Sequence, residues 1–332
     1  MSSHPELEDS IVSAVRRMSE GRDVAVAFSG GLDSGLVAGL AARYARSVHL
    51  YTCGTANAYD VVAADELSKR LDLPWTHVKL TTGNIGQLIV ELMSATGVTD
   101  PFTVSYELQL FSVCMECPED VVLTGQGADE YFMGCAKYVG RTPDAYDSLV
   151  RAGKDRLREV SIPCELAIAS HFSKDLRYPY MDPEVVARAE ALDPEELLPR
   201  DMDSRKAVLK EVARDLGFDC LLDRRKKSSQ YGSGTTDLIR AVARERGMRY
   251  NEYIDSLRGA AASGLPMSGR GSVVDARVDS VLKAEAERII REGGMDPSAV
   301  IEAVYRRIVR DGDLRSVRRG LSFRDGLSIP PR

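Results

Sequence analysis

The sequence predicts an α/β protein: a parallel-sheet domain, then a helical portion, then a C-terminal helical extension. Three observations carry this. Through roughly the first 150 residues, short apolar runs alternate with helix-period patterns, and that alternation builds βα units around a parallel sheet. Two of the runs end in glycine-rich turns, Ser29-Gly30-Gly31-Leu32-Asp33-Ser34 and Gly125-Gln126-Gly127. From about residue 150 the strand signal disappears and helical patterns take over. The 332 residues suffice for about two domains at roughly 150 residues each. The shifts place an α/β domain over 1–150 and a helical portion over 151–258. A linker rich in Gly, Ala, Ser and Pro follows over 259–273, and a helical extension over 274–332.

Residues 9–19 read as an amphipathic helix with Ile11, Val12, Val15 and Met18 on one face. The first strand is Val24-Ala25-Val26-Ala27-Phe28, and its glycine-rich turn opens into a helical pattern from Leu36. Val48 to Cys53 is a second strand ending in Gly54, Ala63 to Leu71 a helix, and Trp75 to Leu80 a third strand. Thr99-Asp100-Pro101 starts another helix through Tyr106, Leu108, Leu110 and Phe111. Glu119 to Thr124 is a buried strand. Beyond it, helices are expected over 161–172, 183–192, 204–216, 235–246, 274–291 and 297–310. Ligands of such sheets bind at the carboxyl ends of strands. Both glycine-rich turns lie there, so they should face one site.

A strand, a glycine-rich turn and a helix make a phosphate site. Gly30 and Gly31 let the backbone approach an anion, and N–H groups at the helix N-terminus point at it. Ser29 and Ser34 add hydroxyl donors, Leu32 completes the turn, and Asp33 stands where a carboxylate can hold Mg²⁺ against phosphates. A plain helix cap could also contain two glycines, but the whole string after a buried strand is more specific. No GxxxxGK[ST] loop occurs, and the dinucleotide fingerprint lacks its third glycine. Asp129 follows Gly125-Gln126-Gly127, where it would join Asp33 on the ion, since Mg²⁺ on triphosphate oxygens needs hard oxygen ligands.

With these residues the chain resembles the PP-loop, or N-type, ATP pyrophosphatases. The SGGLDS form is most similar to the synthetase domain of asparagine synthetase and its relative β-lactam synthetase. Leu123 to Gly134 resembles that family's SGEGADE element. Asp175 to Asp182 resembles its E-x-R-x-P-F-L-D element, Ser204 to Lys210 its K-x-x-L-[KR] helix, and Arg225 to Gly232 its R-x-K element. The likeness runs over about residues 9–250. It implies ATP and Mg²⁺ as cofactors, bound over Ser29–Ser34 with Cys53 and Gly54 bordering the adenine and Gly125 and Gly127 in the second turn. It further implies adenylation of a substrate carboxylate with release of pyrophosphate, then displacement of AMP by ammonia or another amine. Lys206, or the Lys226-Lys227 pair, would stabilise the charge that builds in the transition state.

Departures limit the likeness. Ser2 stands where the glutamine-hydrolysing enzymes have a cysteine, and the chain starts barely 20 residues before its first strand. Nitrogen is therefore expected to arrive free, to come from a separate glutaminase subunit, or to be replaced by another amine. Gln126 occupies the acidic position of GEGADE, where a neutral amide cannot accept a proton. Asp175 replaces the glutamate of E-x-R-x-P. Residues 274–332 are extra.

Two rival readings use other residues. Cys114-Met115-Glu116-Cys117 is a CxxC pair, a feature of PP-loop enzymes that thiolate tRNA. A zinc or iron–sulfur site needs three or four ligands, and no second CxxC exists. The second rival is a nucleotide-binding sensor without catalysis. A net charge of −6 gives no global electrostatic case for nucleic-acid binding. The arginine-rich tail has acids interspersed, which suits a solvated helical face or a contact in a homo-oligomer. No apolar run approaches the roughly 20 residues that span a bilayer, and the N-terminus is unlike a signal peptide. A cytoplasmic protein with reduced thiols is expected.

Overall fold

The computed structural model describes residues 3–141, 143–222, 229–263 and 280–292. Contacts divide the chain into two compact units, Met1–Gly271 and Ser272–Arg332. Within the second, the described residues form one helix, Ser280–Glu292.

The first unit is built on a five-stranded, all-parallel sheet. Its strands are β1 (Asp23–Ala27), β2 (Ser47–Gly54), β3 (Trp75–Lys79), β4 (Val121–Leu123) and β5 (Asp175–Arg177), in the order β3-β2-β1-β4-β5. β1 pairs with β2 from Asp23↔Ser47 to Ala27↔Tyr51, and with β4 from Val24↔Val121 to Val26↔Leu123. The order reverses direction between β1 and β4. Crevices open at such a switch point, outside the carboxyl ends of the strands.

Side chains alternate across a strand, and the sheet uses this to fill two cores. Val24 and Val26 of β1, and Val121 and Leu123 of β4, face one core. That core is covered by α1 (Pro5–Ser19), α2 (Leu32–Ala41) and α3 (Tyr59–Leu71), together with later helices of the chain. Ala25, Val122 and Tyr51 face the other. Its cover comes from α4 (Ile85–Thr96), α5 (Pro101–Glu116) and, past α6 (Ala128–Tyr131) and α7 (Pro143–Arg156), from α8 (Ile162–His171). Asp100 caps α5 as the sequence suggests, accepting from the Thr103 amide at 2.9 Å ahead of Pro101.

Two expectations need correction. The strand signal does not end at residue 150: β5 completes the sheet from within the stretch read as helical. Its residues, Asp175-Leu176-Arg177, hold one apolar side chain between two charged ones, so no apolar run betrays it as one does the equally short β4; it is held by its register with β4, Val121↔Asp175 to Leu123↔Arg177. Arg258–Ser263 form a helix, so the stretch read as a linker from residue 259 begins helical. Helices α4 and α7 were also absent from the sequence reading. The expected helix over 297–310 lies outside the described residues. No helix among the described residues is long and apolar enough to cross a membrane.

Candidate active site

A cleft of about 830 Å³ opens at the carboxyl ends of β1, β2 and β4. Its first wall is the turn after β1. The Ser29 amide donates to Ser34 Oγ at 3.1 Å, and the two hydroxyls lie 3.3 Å apart, which ties the turn onto the first residues of α2. Gly31, at the N-cap of α2, has an extended backbone and offers no side-chain cap, so that helix end presents its N–H groups and positive dipole end toward the cleft. Ser29, Gly31, Leu32, Asp33 and Ser34 all line it. Gly30 does not. Its left-handed backbone (φ 64°) is pressed against the backbone of α3, where a Cβ would meet the Ala64 nitrogen at 2.6 Å.

The second wall is the turn after β4. A Cβ at Gly125 would sit 2.9 Å from the Asp33 Cβ and 3.0 Å from the Ser34 nitrogen. Glycine there lets the two turns touch, which brings Asp129, on α6, toward Asp33. Gly127 is left-handed (φ 90°) and packs on Met181 rather than facing the cleft. Cys53 lines the cleft, whereas Gly54 clears the backbone of Ser233.

Lys206 joins the walls. It precedes the helix Ala207–Asp215, and its Nζ lies 2.5 Å from Asp33 Oδ1 and 2.6 Å from Asp129 Oδ1. Arg205 and Lys210 line the same end, with the Arg205 guanidinium 3.0 Å from the Gly134 carbonyl. Burial pushes the Lys210 ammonium below its usual range. Mg²⁺ fits this donor set. Two carboxylates converge on one point, and Mg²⁺ is ordinarily held by one or two carboxylates plus substrate phosphates rather than by an all-protein cage. No group of three or more His, Cys, Asp or Glu side chains arranged for a metal occurs among the described residues.

The cleft has a second, buried pair of acids in its lining, and sequence reasoning missed it. Glu107 of α5 and Glu165 of α8 both line the cleft yet are 1% and 3% exposed. Gln126 Nε2 donates to Glu165 Oε1 at 2.5 Å, and the Tyr106 hydroxyl donates to Gln126 Oε1 at 3.2 Å. Burial pushes the Glu165 carboxyl up to about 8, with Gln126 and Tyr178 pulling against it. Burial first, and the Glu165 charge second, push Glu107 well above the carboxylate range. A signal existed: Glu165 is the lone carboxyl of α8, and Glu107 is surrounded by apolar residues along α5. A lone acid inside an apolar helix is rarely buried without a function or a partner.

Other expected site residues fall elsewhere. Asp175 is the first residue of β5, at the end of the strand away from the cleft, where its carboxylate binds Arg177 and is half exposed. The structure thus places it in the sheet register with an Arg177 partner, outside the cleft lining. Lys226 and Lys227 lie outside the described residues. Cys114 and Cys117 are buried in the core beneath α5, away from the cleft lining. Burial pushes their thiols up to about 12 and about 11, and Cys53 up to about 12.

The asparagine synthase family model matches residues 6–160 and 165–264. The chain belongs to the asparagine synthase family. Among curated relatives it is 27% identical over 293 residues to a Methanocaldococcus jannaschii protein provisionally named asparagine synthetase 1 (glutamine-hydrolysing), covering 76% of this chain and 53% of that one. It is 26% identical over 286 residues to carboxyethyl-arginine β-lactam-synthase of Streptomyces clavuligerus, covering 84% and 54%. The chain thus spans about half the length of these relatives. Among solved structures, NMN synthetase from Francisella tularensis aligns over 77% of this chain and 87% of its own at 18% identity, with a TM-score of 0.38. The U34-tRNA thiolase NcsA from Methanococcus maripaludis aligns over 82% and 85% at 12% identity, with a TM-score of 0.33. At those scores neither adds to the family assignment.

Proposed function

We propose that this family member is an ATP-dependent ligase that forms amides. A substrate carboxylate oxygen attacks the α-phosphorus of ATP and pyrophosphate leaves. An amine then attacks the acyl carbon of the acyl-adenylate, and AMP leaves as the amide forms. The observation that carries this reading is the meeting of the Ser29–Ser34 turn, Asp33, Asp129 and Lys206 in one cleft at the switch point of the sheet. Ser29, Ser34 and the N-terminus of α2 would hold phosphate oxygens. Asp33 and Asp129 would hold Mg²⁺, which would supply charge neutralisation on the phosphates. Lys206, Arg205 and Lys210 would stabilise the charge that develops there.

The amine must lose a proton as it adds. Gln126 cannot take it, but it is bonded to Glu165, whose carboxyl titrates near the working pH of a general base. Glu165 is the residue we assign to that step. The buried position of Cys114 and Cys117 speaks against sulfur transfer. The nitrogen source, whether free ammonia, a separate glutaminase subunit or a larger amine, belongs to the same proposal, as do the cytoplasmic setting and any homo-oligomer. The test is pyrophosphate exchange into ATP across a panel of carboxylic acids with Mg²⁺. Exchange with at least one acid supports the reading, and ADP formation with the acid that stimulates turnover would refute it.

A further inference from the structure

Lys206 is placed with unusual care. Its backbone is left-handed (φ 57°) at the residue that caps the helix Ala207–Asp215, and its side chain is only 4% exposed. A non-glycine residue holds that backbone when its surroundings over-determine it. The surroundings here are two carboxylates, Asp33 from the turn after β1 and Asp129 from the turn after β4, at 2.5 and 2.6 Å. Room for the contact is provided by Gly134, where a Cβ would collide with both the Asp129 carboxylate and the Lys206 side chain. The Arg205 guanidinium fixes the carbonyl of that same glycine. Three separate segments are therefore shaped to put one ammonium between two carboxylates. Two carboxylates sharing a site repel each other unless a cation lies with them.

We propose that Lys206 is a resident counter-ion: it holds Asp33 and Asp129 as a preformed pair in the nucleotide-free protein and gives up that place to a divalent cation only when the nucleotide enters. This rests on the reading that the pair takes the metal. An ammonium and a divalent ion cannot both sit between the same oxygens, because like charges at that separation repel strongly. The phosphates that arrive with the ion give the displaced ammonium a new partner. Lys206 is thus a positioning residue before the reaction and a charge for the phosphates during it. The free protein should then bind divalent cations weakly, and nucleotide and metal should enter together.

The experiment measures the Mn²⁺ held by the protein by equilibrium dialysis, without and with a non-hydrolysable ATP analogue that is present on both sides of the membrane. Wild-type protein should bind Mn²⁺ tightly only with the analogue. Lys206→Met should bind it without the analogue at least about tenfold more tightly than wild type, and adding Asp33→Asn should abolish that gain. Lys206→Gln carries the same comparison if the methionine variant does not fold. Equal Mn²⁺ affinity of wild type and variant without nucleotide, while both bind with it, would overturn the exchange and leave the metal site standing. No Mn²⁺ binding to any form even with the analogue would overturn the metal site and the exchange together.

Discussion

Asp33 and Asp129 share one ammonium between them, whereas Glu107 and Glu165 in the same cleft have no ammonium or guanidinium at ion-pair distance among the described residues. The first pair keeps 19% and 30% of its side-chain surface exposed, and the second residues keep 1% and 3%. The chemical group is the same in both pairs, and the environment decides what each can do. Carboxylates that keep water and a cation are suited to holding positive charge. Carboxyls buried beyond ion-pair distance of a cation are pushed toward the protonated form, even with the Arg156 charge pulling Glu107 back, which suits proton transfer.

The comparison breaks first at the charged pair. Asp33→Ala and Asp129→Ala should each lower amide-forming turnover by about 100- to 1,000-fold, the scale for removing one preorganised electrostatic group. Steady-state kinetics decide this, and near-wild-type turnover in either variant removes that residue from the metal site. At the buried pair, Glu165→Gln should lower amide formation by about 100-fold, the scale of general-base catalysis, yet change pyrophosphate exchange by less than about threefold. An equal loss in both steps would make Glu165 a structural residue and dissolve the division of labour.

A smaller effect sharpens the comparison through stability. Glu165 ionises near 4.5 when exposed and near 8 in the fold. Between these values the folded protein holds the more protons, so rising pH favours unfolding. The melting temperature of wild type should therefore fall as pH rises from about 4.5 to about 8, and Glu165→Gln should flatten that fall. Parallel profiles for the two proteins would show that this carboxyl is not held protonated. The smallest effect is expected at the thiols. The double variant Cys114→Ala/Cys117→Ala should keep at least about half of wild-type turnover, as expected for packing residues remote from the chemistry. Loss of activity there would reopen a sulfur-transfer role.

The charged pair was legible in the sequence because its chemistry is local. A glycine-rich turn between a strand and a helix is a local pattern, and Asp33 and Asp129 each stand at the start of the helix that such a turn opens. Lys206 was reached through its motif, but its contact with both carboxylates was not, because it depends on the clearance at Gly134 and on three segments far apart in the chain. The buried pair was missed because Glu107 and Glu165 carry no motif. They meet only through the packing of α5 and α8 on one face of the sheet. Asp175 failed in the opposite direction. Its motif suggested a site residue, and the fold places it at the start of β5, away from the cleft lining. β5, with Leu176 alone between two charged residues, has no apolar run of the kind that announced the equally short β4, which is why the sheet gained a member that pattern alone did not foresee.

Transfer of oxygen from the substrate tests the central claim most directly. The acid that supports pyrophosphate exchange would be labelled with ¹⁸O in its carboxylate and turned over with ATP and the amine, and the phosphate products read by mass spectrometry. Attack of the carboxylate on the α-phosphorus leaves one labelled oxygen in AMP, with unlabelled pyrophosphate. Label in inorganic phosphate accompanied by ADP would mean attack on the γ-phosphorus, and would contradict the account of this cleft.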